Sequence, residues 1–147
     1  LLDLEIAGAS VLDVGTGTGV LAILCGLKGA QSITGIDIDP WSVENAAENA
    51  ERNGQNGIEV LEGSMDLVAG MQFDMVLANI NRNALIELMP AFTGALRQGG
   101  ELLISGFYEE DLPYLKEEAA GHGLNYNSFR VSDRWTAASF EKQELPS

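Results

Sequence analysis

The residues of this 147-residue chain that could do chemistry gather where short apolar runs end. The first group is Asp13-Val14-Gly15-Thr16-Gly17-Thr18-Gly19. Glycines spaced this way let the backbone turn sharply and let a ligand approach it without meeting a Cβ. A helix starting just beyond them would point its free N–H groups into the same space. A dinucleotide fingerprint, G-x-G-x-x-G, would need glycine at position 20, where Val20 stands. A tight turn with no ligand also uses glycine, but three of them beside an acid favour a binding loop.

Asp37 closes the next apolar run, 22 positions after Gly15. A carboxylate there can accept two hydrogen bonds from a ribose diol. Ile38 follows it and could cover one face of an adenine ring. Asp39, directly before Pro40, fits the N-cap of a helix and needs no ligand to explain it. Glu62-Gly63-Ser64-Met65-Asp66 ends a third run, where backbone N–H groups and the Ser64 hydroxyl could meet the edge of a base; a solvent turn accounts for Ser64 equally well. After the fourth run comes Ala78-Asn79-Ile80-Asn81-Arg82-Asn83. An asparagine at a strand end offers both an acceptor oxygen and a donor nitrogen. Either asparagine could cap a helix; the reading assigns Asn79 to a ligand and Asn81 to the cap.

Alternating strands and helices must position these loops. Strands are expected at Ser10–Val14, Ile33–Asp37, Ile58–Leu61, Phe73–Ala78 and Glu101–Ser105. Helices are expected over Gly19–Lys28, from Pro40 to Asn53, over Arg82–Leu96 and over Leu112–Ala120. Val43, Ala46, Ala47 and Ala50 would form the apolar stripe of the second helix. Pro90 should bend or split the third. A hairpin follows, Asn125–Val131 and Thr136–Glu141 about a turn at Ser132-Asp133. This order predicts an α/β fold, mainly a parallel seven-stranded sheet ending in an antiparallel hairpin. Ligands in such sheets bind at the carboxyl ends of the strands, where the loops above lie.

Composition removes several classes. Eight Lys and Arg against 22 Asp and Glu leave a formal charge of −14. Such a surface repels phosphate backbones and attracts a basic partner, so direct nucleic-acid binding is not expected. The lone cysteine, Cys25, sits in the apolar run Val20–Cys25, which excludes an internal disulfide and a multi-cysteine zinc site; no metal is expected, and the cytoplasm is the expected compartment. The lone histidine, His122, lies between Gly121 and Gly123 and reads as a helix exit. No G-x-S-x-G elbow occurs, which argues against a serine hydrolase. No apolar stretch approaches the ~18 residues of a membrane helix. The chain starts at Leu1 and is expected to be part of a longer one, with residues 1–9 as the end of an upstream linker or helix and 10–147 as the catalytic domain.

Taken together, these segments resemble the PrmA family of bacterial methyltransferases, which modify large-subunit ribosomal protein eleven. The resemblance rests on residues 11–23, on Gly35-Ile36-Asp37-Ile38-Asp39-Pro40, on Leu77-Ala78-Asn79-Ile80, on Leu103-Ile104-Ser105-Gly106 and on Trp135. The loop Asp-x-Gly-x-Gly-x-Gly is the nucleoside loop of Rossmann-like S-adenosylmethionine methyltransferases, and this fold is what the resemblance implies. It also implies S-adenosylmethionine as cofactor, S-adenosylhomocysteine as product, and a basic ribosomal protein as substrate, methylated on lysine or N-terminal amines. Asp13, Gly15, Gly17, Asp37, Ile38, Ser64 and Asn79 are the candidate cofactor contacts, and Asn79 is the candidate catalytic residue. The Asn-Pro-Pro-Tyr pattern of amide and exocyclic base-nitrogen methylation is absent, because Ile80-Asn81-Arg82 follows Asn79. Family members carry a Gly-Thr-Gly-x-His-x-Thr-Thr-like segment before the first strand and an N-terminal gripping domain; this stretch of sequence shows neither. The alternatives are a small-molecule methyltransferase of the same fold and a truncated, non-catalytic core.

Overall fold

The computed structural model describes residues 6–132 and 135–143. In chain order they form β1 (Ser10–Val14), α1 (Val20–Leu27), β2 (Ser32–Asp37), α2 (Pro40–Arg52), β3 (Ile58–Glu62), β4 (Phe73–Asn79), α3 (Arg82–Ala95), β5 (Leu96–Ser105), α4 (Leu112–Gly121), β6 (Leu124–Ser132) and β7 (Trp135–Lys142). Short 3-10 turns occupy Met65–Val68 and Glu109–Asp111. The seven strands lie in the order β3-β2-β1 in the first part of the chain and β4-β5-β7-β6 in the second, the α/β arrangement expected from the alternation. None of the described helices is long and apolar enough to cross a membrane. Two compact units divide the chain after Ala69.

In the first unit β1, β2 and β3 run parallel, with Val14 beside Ile36 and Asp37 beside Glu62. Val11, Leu12 and Val14 of β1 are all buried, as a strand covered on both faces requires, and Asp13 is the one acid among them. α1 and α2 pack on these strands. Asp39 caps α2, its side chain accepting from the Trp41 N–H at 3.0 Å, with Pro40 opening the helix as expected. The buried stripe is narrower than expected. Ala46 and Ala50 are buried and Val43 is half-buried, but Ala47 faces solvent. Asn49 takes its place: its amide Nδ2 donates to the Thr18 carbonyl at 2.9 Å, turning that side of the helix toward the glycine loop.

In the second unit β4 and β5 are parallel, and β7 runs antiparallel to both β5 and β6. α3 is unbroken through Pro90, so of the expected bend or split the split does not occur. Leu85, Met89 and Phe92 are completely buried at i, i+4, i+7 spacing, and that burial outweighs the one backbone hydrogen bond a proline removes. β5 begins at Leu96, five residues before the expected start at Glu101. Gly99-Gly100 lies inside the strand, where pairing with β4 jumps from Phe73↔Leu96 to Met75↔Glu101. The bulge brings the Arg97 and Asp74 carbonyls within 2.9 and 3.1 Å of where a Gly100 Cβ would stand, so glycine here serves a crowded strand rather than a turn. The expected turn at Ser132-Asp133 and the Trp135 side chain fall outside the described residues.

Candidate cofactor and acceptor sites

In the first unit, the loops after β1, β2 and β3 are tied together by one residue. Asp37 Oδ2 accepts the Gly17 N–H at 3.0 Å and Oδ1 accepts the Asp39 N–H at 2.9 Å. The Asp37 carbonyl accepts the Gly63 N–H at 2.8 Å, holding the loop that carries Ser64. Each carboxylate oxygen keeps lone-pair capacity after one such bond, so Asp37 can still accept from a diol. Next to it Ile38 is 77% exposed, a bare apolar side chain beside a carboxylate. Ser64 is exposed and makes no cap hydrogen bond to the 3-10 turn behind it. Gly17 has φ +58, and a Cβ there would meet only the Gly15 carbonyl at 3.9 Å. The backbone at Gly17 is therefore open to an incoming group.

Asp13 occupies a different position from these residues. Its side chain is 1% exposed and lies beneath the loop, where Oδ2 accepts the Thr16 hydroxyl at 2.8 Å. Oδ1 is buried without a hydrogen-bond partner, and the backbone of Ala22 supplies only a minor favourable interaction. Burial pushes the carboxyl up to about 7; the Thr16 hydrogen bond opposes this and the charge of Asp37 adds to it. Asp13 thus braces the loop from inside through Thr16, itself buried. Cys25 is fully buried behind the same loop, and burial, followed by the Asp13 charge, drives its thiol up to about 12. It is a packing residue, as its apolar surroundings implied.

In the second unit Asn79 ends β4 opposite Ser105 of β5 and is exposed. Asn81 caps α3, its side chain accepting from the Ala84 N–H at 2.9 Å, which leaves Asn79 clear of that role. Gly106, just past β5, has φ +89; a Cβ there would lie 2.7 Å from the Ile80 carbonyl and 2.8 Å from Asn79 Oδ1. Only glycine lets the two strand ends approach this closely, which gives the Ser105-Gly106 ending its physical meaning.

A pocket of about 440 Å³ opens beside this contact, lined by residues 81–83, 106–108 and Asp111. Arg82 Nη1 donates to Asp111 Oδ1 at 3.1 Å, and Asp111 Oδ2 accepts the Tyr108 N–H at 3.1 Å. Sequence reasoning singled out the loop after Ser105 but none of Arg82, Tyr108 or Asp111. The pairing of Arg82 with Asp111 spans 29 positions, and no local spacing signals it. His122 closes α4, with Nε2 3.3 Å from Glu118 Oε1, the helix-exit position expected of it.

Comparison with known proteins gives a consistent picture. The family model described as ribosomal protein L11 methyltransferase (PrmA) matches residues 1–143. The ribosomal protein L11 methyltransferase of Bacteroides fragilis is 45% identical over 141 residues, covering 95% of this chain and 50% of that protein. That of Porphyromonas gingivalis is 47% identical over 141 residues, covering 95% and 49%. The chain therefore spans about half the length of the curated relatives it matches. Among solved structures, the ribosomal protein L11 methylase of Lactobacillus delbrueckii subsp. bulgaricus superposes with a TM-score of 0.89 at 29% identity, over 95% of this chain and 73% of that one.

Proposed function

The chain belongs to the ribosomal protein L11 methyltransferase (PrmA) family, and on that footing we propose that it carries methyl transfer from S-adenosylmethionine to lysine or N-terminal amines of a basic ribosomal protein. Residues 10–147 are the proposed catalytic domain, acting in the cytoplasm. The observation that carries the reading is Asp37, whose carboxylate and carbonyl gather three strand-end loops while keeping capacity for a diol.

The residues present fit the cofactor. Asp37 would take the ribose hydroxyls, Ile38 one face of the adenine, and the Ser64 loop its edge. The open backbone at Gly17 leaves room for close approach beside Gly15, with Asp13 supporting the loop from beneath. When bound, S-adenosylmethionine supplies a methyl group made electrophilic by its sulfonium.

What remains for the protein is to present a neutral, aligned amine. A lysine amine has a reference pKa of about 10.4, and removal from water lowers it. The Asn79 amide oxygen can accept an N–H of that amine and so orient its lone pair. Orientation alone accounts for roughly 7–11 kcal/mol in intramolecular models, so alignment can supply most of the acceleration without a dedicated base.

Calorimetric titration with S-adenosylhomocysteine, with NAD as control, tests the cofactor half. Binding of the first alone is expected, with loss in Asp37→Ala; binding of NAD alone, or an indifferent Asp37→Ala, refutes it. Transfer of labelled methyl to ribosomal protein L11, lost in Asn79→Ala by more than any weakening of S-adenosylhomocysteine binding accounts for, tests the acceptor half. Full transfer by Asn79→Ala removes that residue from the mechanism.

A further inference from the structure

The pocket at residues 81–83, 106–108 and Asp111 lies wholly within the second unit and adjoins Asn79 through Gly106. Its frame is fixed. The start of α3 and the loop after β5 are clipped together by Asp111, which holds Arg82 with one oxygen and the Tyr108 backbone with the other. Arg82 Nε also leans on Asn83 Oδ1 at 3.4 Å. Two of the guanidinium's five donors are thus engaged along the pocket wall.

Charge and shape choose the ligand class. Glu109 and Glu110 are exposed directly after Tyr108. They add negative charge next to a lining in which Arg82 and Asp111 offset each other, a balance that favours a cation over a carboxylate or phosphate. Tyr108 is 75% exposed and lines the pocket, so its ring is available to a ligand. An exposed ring suits the alkyl stem and charged end of an amine. A volume of about 440 Å³ falls in the range of small-ligand sites.

We infer that this pocket seats the side chain of the methyl acceptor, an alkylamine, and that Tyr108 is its specificity-determining wall. The inference rests on the methyltransferase reading above and extends it to residues outside the cofactor loops. Arg82 and Asp111 are positioning residues, holding Tyr108 and the Asn79 end of β4 in one fixed frame.

Nitrogen-15 NMR titration of the whole chain with Nα-acetyl-lysine methylamide tests it without requiring methyl transfer. Saturable shifts are expected at the amides of Asn83, Phe107 and Tyr108, and none with Nα-acetyl-glutamate methylamide. Tyr108→Ala, at an exposed position the core does not depend on, should weaken the lysine probe about threefold or more. Tyr108→Phe, which keeps the ring, should bind it like the unaltered chain. The pocket assignment is overturned if the glutamate probe shifts the same amides, if the lysine probe acts elsewhere, or if Tyr108→Ala binds it unchanged. A parallel titration with S-adenosylhomocysteine keeps the two ideas apart. Failure of the unaltered chain to bind it refutes the methyltransferase reading. Its binding with no response to the lysine probe refutes the acceptor pocket alone.

Discussion

Replacing Asp13 by Asn removes one ionisable carboxyl from beneath the glycine loop and keeps its shape. An amide oxygen can still accept the Thr16 hydroxyl, which now lies 2.8 Å from Oδ2. In the folded chain the carboxyl is raised from 3.8 to about 7, chiefly by burial. The folded protein therefore holds this proton more tightly than the unfolded chain does. The contribution to stability is fully present below about pH 4 and is lost as pH rises through about 7. Roughly three units at ~1.4 kcal/mol each give about 4 kcal/mol over the whole range, of which about 3 kcal/mol falls between pH 5 and pH 8.5. Urea unfolding followed by far-ultraviolet circular dichroism at those two pH values reads it directly. The unaltered chain should lose about 3 kcal/mol more than Asp13→Asn on going to the higher pH. Glu101 is also raised, by burial and by Glu141 opposite it on β7, and acts in the same direction. It is present in both proteins and cancels in the difference. Equal pH dependence in the two would show that the Asp13 carboxyl titrates alike in the folded and unfolded chains, and the account of burial raising it would fail.

Gly106→Ala tests the close approach of β5 to Asn79. A left-handed φ costs a non-glycine residue about 1–2 kcal/mol. Gly54, with φ +72 and nothing near its would-be Cβ, should show that amount alone. At Gly106 the clash with Ile80 and Asn79 should add at least ~1 kcal/mol, read from urea midpoints; equal losses at the two sites would contradict the contact. Cys25, buried and raised to about 12, should be inert to a thiol-specific disulfide reagent at pH 8 and react fully in urea. Reaction of the folded chain at the rate of a small free thiol would place it nearer solvent than described.

Sequence alone determined whatever depends on local chemistry. Asp39 beside Pro40 specified the start of α2, and Asn81 specified that of α3, because a cap acts within three residues of itself. Apolar runs bounded by glycine located the strands, and the rule that ligands sit at strand ends points to Asp37 and Asn79. Tertiary structure decided what depends on neighbours distant along the chain. β5 extends back through Gly99-Gly100 because β4 offers a partner for a bulged strand, which glycine content by itself reads as a turn. Ala47 faces solvent while Asn49 turns inward, since the acceptor that holds Asn49 is Thr18, 31 positions away. Asp13 and Asp37 look alike in sequence as acids at strand ends. One side chain points into the interior, where desolvation raises its carboxyl, and the other gathers backbone N–H groups at the loop. The pocket framed by Arg82, Tyr108 and Asp111 follows the same logic, for it exists only where β4 and β5 end side by side. Local propensity acts over one or two turns of chain, whereas burial and long-range pairing exist only once the sheet has brought remote segments together.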